Sequence, residues 1–227
     1  MKEYVLSNEE AKQVDDYTIN KLGIPGRQLM QTAGEFVTLK SKIFLKHVPG
    51  SRVDIFCGTG NNGGDGFVTA AELQDMGAFV NVWIVGDKEK IKGDAAYFLQ
   101  RCEKEYVTVE TISGPEDLSK LEKLHETDLI IDALLGTGFR GKVHGMMKDI
   151  IAMINNVEHP VKHPVLSIDI PSGINGDTGE VGGIAVQAMK TVTMGFLKRG
   201  LLYNDGPKYA GQIFLADLKY PDESFSI

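Results

Sequence analysis

Three segments hold most of the residues in this chain that could do chemistry: Gly58-Thr-Gly-Asn-Asn-Gly-Gly-Asp-Gly66, Asp132-Ala-Leu-Leu-Gly-Thr-Gly-Phe-Arg-Gly141 and Asp169-Ile-Pro-Ser-Gly173. The first contains G-x-G-x-x-G at Gly58, Gly60 and Gly63. Bare glycines let a backbone approach a phosphate closely, and a helix opening near Gly64 would add unsatisfied N–H groups and a positive dipole end. Asn61, Asn62 and Asp65 place amides and oxygens where a plain turn needs none. Asp132 and Asp169 each close an apolar run, where an unpaired carboxylate is costly to bury. Either can cap the turn that follows it, and either can serve as a general base. With Asn62 and Ser172 they make an oxygen-rich set, which suits an alkali or alkaline-earth ion better than zinc.

The elements that must position these segments alternate. Ser7, followed by Glu9 and Glu10, reads as the cap of a helix running to about Leu22, where Gly23-Ile-Pro-Gly26 stops it. Leu29, Met30, Ala33, Phe36 and Val37 predict a second helix to about Lys46. Strands are then predicted over 52–57, 79–85, 106–112, 128–132, 164–169, 190–194 and 212–216. Helices are predicted between them over 64–76, 88–103, 115–125 and 145–156. This alternation gives an α/β fold: a single Rossmann-like three-layer αβα domain over residues 1–227, with a mostly parallel sheet and two N-terminal helices packed on it. In the strand order 3-2-1-4-5-6, the first, fourth and fifth strands are neighbours and their loops meet at the switch point, where such sheets bind ligands.

The 24 basic residues against 31 acidic ones give a net charge of −7, and no basic cluster marks a nucleic-acid groove. Two cysteines make no disulfide framework, and no CxxC or HxxH spacing offers zinc ligands. No apolar run spans a membrane, and the acidic start of the chain is unlike a signal or transit peptide, so the cytoplasm is the expected compartment. Cys57 reads as a small buried side chain, Trp83 as core, His144 as a helix-start residue, and Lys198-Arg199 as a solvated pair.

Taken together, the three loops resemble the NAD(P)H-hydrate epimerase family. Leu29-Met30-Gln-Thr-Ala33-Gly34 resembles that family's second-helix signature, and Thr191-x-Thr193 with Lys198-x-Gly200 its late strand. The resemblance implies interconversion of the R and S epimers of hydrated NADH and NADPH (NADHX and NADPHX) at C6 of the nicotinamide ring. It implies that Asn61, Asn62, Gly63, Gly64 and Asp65 hold substrate. So do Gly136, Thr137, Gly138, Phe139, Arg140, Gly141 and Lys142. Asp169 is implied to contact substrate and act as acid/base. Asn62, Asp132 and Ser172 are implied to bind one potassium ion (K+) per subunit. One carboxylate among neutral oxygens is a weak-field set, better suited to a large monovalent ion than to Mg²⁺; the alternative is that Asp132 simply bonds backbone amides. The resemblance also implies a homodimer and functional coupling to a separate NAD(P)HX dehydratase, with no nucleic-acid or membrane partner. Glu72, and the ending Ala216-Asp-Leu-Lys-Tyr-Pro221, depart from the family pattern at positions expected to lie away from the site. Two rival readings are a non-catalytic scaffold related to mRNA-decapping enhancer domains and an NAD-dependent oxidoreductase with Asp87 on the ribose.

Overall fold

The computed structural model describes residues 4–157 and 163–225. In chain order the elements are β1 (Val5–Leu6), α1 (Asn8–Asn20), α2 (Gly26–Ser41), β2 (Arg52–Cys57), α3 (Asn61–Asp75), β3 (Phe79–Val85), α4 (Gly93–Lys104), β4 (Thr108–Ile112), β5 (Leu129–Ala133), α5 (Gly145–Asn156), β6 (Val165–Ile168), β7 (Lys190–Met194), β8 (Leu197–Lys198), α6 (Gly206–Ala210) and β9 (Gln212–Ala216). Seven strands form one sheet in the order β4-β3-β2-β5-β6-β7-β9, every neighbouring pair parallel. This is the anticipated order with the last strand added at an edge. A parallel pair of two-residue strands, β1 and β8, stands apart.

The central strands are buried on both faces, as their continuous apolar runs require. Val53, Ile55, Leu129 and Ile131 point to the face covered by α2, α3 and α4. Phe56 and Ile130 point to the other, with Trp83 and the α5 residues Ile150, Ile151 and Ile154. Trp83 also donates its indole N–H to Asp54 at 2.7 Å, satisfying a buried carboxylate. Cys57 is fully buried and free, and burial pushes its thiol up. No helix among the described residues is long and apolar enough to cross a membrane.

Several boundaries differ from the sequence reading. The helix expected over 115–125 is two 3₁₀ segments, Pro115–Leu121 and Leu124–Glu126. Leu118, Leu121 and Leu124 recur every three residues, the period of a 3₁₀ turn rather than of an α-helix. The segment 88–103 is a 3₁₀ turn followed by α4, broken at Gly93, whose φ is +59°. The second helix ends at Ser41 rather than Lys46. Most important for the site, α3 begins at Asn61 rather than Gly64, so the two asparagines occupy its first turn. The strands β1 and β8 and the short α6 went unpredicted, being too brief to show a period.

Helix α2 lies on α3 through Gly34, where an added Cβ would overlap the branched side chain of Val68. Gly34→Ala is therefore expected to destabilise the fold by about 1–3 kcal/mol through overpacking. A urea titration should show a lower midpoint with unchanged slope.

Candidate active site

A cavity of about 530 Å³ opens beyond the carboxyl ends of β2 and β5, where the strand order reverses. The start of α3 and the loops after β2 and β5 form one side. The N-terminal helices form another, through Ala11 and Asp15 of α1 and Leu29, Met30 and Ala33 of α2. Asp169, Lys198 and Tyr220 complete the wall.

The turn from β2 into α3 is possible only with glycine at two points. A Cβ on Gly58 would overlap the carbonyl oxygen of Leu134, and one on Gly63 that of Gly58. Gly60 caps α3 without a side-chain hydrogen bond, so the first N–H groups of the helix keep the unsatisfied positive end that binds anions. Asn61, Asn62 and Asp65 line the cavity, as do Gly136, Thr137, Gly138 and Phe139. Gly63 and Gly64 lie behind the wall within α3. Arg140 turns away from it, donating to the carbonyls of Thr137 at 2.7 Å and Phe139 at 2.9 Å and pairing with Asp177 at 3.3 Å. Gly141 and Lys142 are exposed and outside the cavity wall. Asp87 accepts the backbone N–H of Glu89 at 3.0 Å and also lies outside the cavity wall, so it is not placed to meet a ribose there.

Asp132 is fully buried beneath the loops. Its carboxylate accepts the hydroxyls of Ser167 (2.7 Å) and Ser172 (2.5 Å) and the amides of Ser172 (2.9 Å) and Leu134 (3.3 Å). Burial raises its pKa, while those donors pull it back down. Ser172 also accepts the Leu135 amide at 2.8 Å, so its hydroxyl ties the loop after β5 to the loop after β6. Asn62 is different in kind. Its amide oxygen and nitrogen are both buried without a hydrogen-bond partner, and its side chain lies against Gly136.

Asp169 follows β6 with a left-handed φ of +68°, held by its own amide, which donates to Val192 at 2.7 Å. A non-glycine residue in that region stores strain, and such residues concentrate at functional sites. Its carboxylate pairs with the ammonium of Lys198, which also donates to the Met194 carbonyl at 2.8 Å and sits 4.7 Å from the Phe196 ring. Lys198 is 3% exposed and Asp169 9%, so this is a buried ion pair, and the reading of Lys198-Arg199 as a solvated pair is corrected. Only Arg199 behaves so, meeting Glu10 at 2.9 Å on the surface. The short β1–β8 ladder, which pairs Lys198 with Leu6, explains the burial.

Sequence reasoning also missed Asp15 and Tyr220. The Tyr220 hydroxyl donates to Asp15 at 2.5 Å, and both line the cavity. The ending 216–221 therefore reaches the site after all, a further correction. Glu72 does lie away from the cavity, bonded to Arg101 of α4 at 2.9 Å. His144 caps α5, as read.

Residues 26–200 match the family described as YjeF-related protein N-terminus. The chain is 36% identical over 217 residues to the NAD(P)H-hydrate epimerase of Oenococcus oeni, covering 94% of this chain and 95% of that one. The chain belongs to the NAD(P)H-hydrate epimerase family. A second relative, the NAD(P)H-hydrate epimerase of Limosilactobacillus reuteri, is 37% identical over 223 residues, with 96% of each chain covered. Relatives named bifunctional NAD(P)H-hydrate repair enzyme are longer. The one from Thermofilum pendens is 36% identical over 212 residues, which are 93% of this chain but only 39% of its own length. The crystal structure of yeast ynu0, YNL200c, has the same fold, with a TM-score of 0.77, 23% identity, and coverage of 93% of this chain and 87% of that one. Within the epimerase family match, both members of the Lys198–Asp169 pair fall inside the matched residues, whereas Asp15 and Tyr220 fall outside them.

Removing one partner of a buried pair strands the other's charge. Lys198→Met is expected to cost about 3–5 kcal/mol at pH 7. Removing both charges together, in Lys198→Met with Asp169→Asn, should recover much of that loss. Urea midpoints of wild type, single variant and double variant check this; a single variant as stable as wild type would mean that the pair contributes no buried charge.

Proposed function

We propose that this chain is an NAD(P)H-hydrate epimerase, an isomerase that interconverts the R and S forms of NADHX and NADPHX at C6 of the nicotinamide ring. The observation that carries the reading is the position of Asp169, a carboxylate on strained backbone beside a buried ammonium, on the wall of the same cavity that receives the uncapped start of α3. A dinucleotide needs both ends of that arrangement. The N–H groups of the first turn of α3 suit its pyrophosphate, with Asn61 and Asp65 beside them and the segment Gly136–Phe139 across the cavity. The apolar wall from Leu29, Met30 and Ala33 suits the flat face of the reduced ring.

Epimerisation requires reversible cleavage of a bond at the carbon that bears the hydroxyl, and so a group that moves a proton there. Asp169 fills that role. Its carboxylate is held in place by the buried ammonium of Lys198. A buried ion pair on the wall of a cavity favours the enzyme over a scaffold of the same fold.

The family implies a potassium ion, and the residues fit one in part. Asn62 has a buried carbonyl oxygen with no partner, which an ion of low charge density would satisfy. Ser172 and Asp132 would complete the set, Asp132 by exchanging its longest contact, the 3.3 Å bond from Leu134. Such an ion would supply charge that holds the loops in register. A homodimer, a cytoplasmic setting and coupling to an NAD(P)HX dehydratase complete the proposal. The existence of relatives named as bifunctional repair enzymes supports the coupling.

Incubation with pure R-NADHX, following S-NADHX by chromatography, should show conversion above the spontaneous rate; a rate equal to the spontaneous one sinks the assignment. Asp169→Asn is expected to lower turnover by about 10²–10⁴-fold while leaving the fold intact by circular dichroism. The wild-type protein should melt at a higher temperature in potassium chloride than in choline chloride of equal ionic strength. Asn62→Ala should abolish that difference, and a wild-type melting temperature indifferent to the cation argues against the ion.

A further inference from the structure

The cavity wall brings together more ionisable groups than one acid/base residue explains. Asp15 comes from α1, Asp65 from α3, Asp169 from the end of β6, Lys198 from β8 and Tyr220 from the tail after β9. Asp16, next to Asp15, lies on the exposed side of α1. Three carboxyl groups thus face one ammonium, and that ammonium is already committed to Asp169. Tyr220 is fixed on all sides. Its hydroxyl is bonded to Asp15 at 2.5 Å, its ring stacks on Phe196 at 6.1 Å and meets Phe225 edge-on at 5.9 Å, and its edge fills the space above Gly195. The stacking would be served by phenylalanine, so the hydroxyl's one task within the fold is its bond to Asp15.

We infer that Tyr220 and Asp15 form a proton-donating couple for the epimerisation, working against Asp169 as the base. The inference rests on the epimerase reading. It extends that reading to two residues outside the family match, which covers 26–200. The environment divides the roles in the required way. Burial raises the Asp15 and Asp65 carboxyls, Asp65 the more so for standing near Asp169, and burial with the neighbouring Asp15 keeps the Tyr220 phenol protonated. Groups held protonated in this manner can supply the acid in a cavity whose wall also carries the ion-paired carboxylate of Asp169.

The step balances as follows. Tyr220 gives its proton to the C6 hydroxyl and takes one from the protonated Asp15, and the C–O bond breaks with its electron pair leaving as water. The ring is left as a cation shared between N1 and C6, planar at C6. A water molecule adds to the opposite face and gives its extra proton to Asp169. The couple regains a proton, and Asp169 loses one, by exchange with water. The reverse reaction exchanges the faces. The cation forms as the couple gives up its proton and becomes anionic, so the charge that develops on the ring is balanced within the cavity.

The test uses the full chain and pure R-NADHX. Tyr220→Phe keeps the ring packing and deletes the hydroxyl, and Asp15→Asn keeps the shape and deletes the titrating group. We expect each to lower kcat by about 10²-fold with KM within about twofold, in a folded protein whose melting temperature falls only by the loss of the one bond. In wild type, kcat should fall at high pH as the couple loses its proton. Asp15→Asn should lose that fall. Wild-type kcat in a folded Tyr220→Phe, or a high-pH fall that survives in Asp15→Asn, overturns the couple while leaving the epimerase reading in place. Absence of turnover in the wild-type protein itself overturns both.

Discussion

A carboxylate that never meets water organises this molecule. Asp132 ends the central strand of the sheet, and its two oxygens gather four donors from β6 and from the loops after β5 and β6. Burying a charge is tolerable only when every lone pair is engaged, so the bonds fix the loops as firmly as they fix the carboxylate. Gly136 is thereby set against Asn62, and the chain leaves Ser172 in the direction that returns through β7 and β8 to Lys198. Asp169 is three residues before Ser172, on the same anchored loop, with its own amide bonded to Val192. The cavity is the space left between loops that Asp132 has already placed.

The second constraint is electrostatic. A negatively charged protein has placed three carboxyl groups and one ammonium along the wall of a single cavity, with the anion-binding end of a helix in the same wall. The two regions have opposite preferences, one for phosphate and one for positive charge developing on a ring. A ligand with a pyrophosphate at one end and a nitrogen heterocycle at the other satisfies both at once. Reversed, it satisfies neither, so the fields fix orientation as well as affinity.

How much of this was legible in the residues follows from the range of the signals. The doubly wound order and the convergence of three loops could be read because glycine turns and apolar runs are local. Asn62, Asp65, Asp132 and Asp169 stood out because polar groups beside apolar strands are locally anomalous. Lys198 was misread as solvated because its burial depends on a two-residue ladder with β1, which leaves no periodic trace. Asp15 looked like an ordinary polar position on an amphipathic helix, and Tyr220 like a variable ending, since their meeting is a purely tertiary event. The start of α3 was placed three residues late because glycine and asparagine are weak helix formers, which the first turn tolerates.

The bond between Asp15 and Tyr220 joins residues 205 positions apart. Nearly all of the sheet lies between them. During synthesis α1 emerges early, and its partner only after β9 has been made, so one wall of the cavity waits for almost the whole chain. The β1–β8 ladder, which buries Lys198, has the same character. The glycine loops and the Asp132 anchor all lie between residues 58 and 173, whereas the charges along the cavity wall come together only when the two ends of the chain meet.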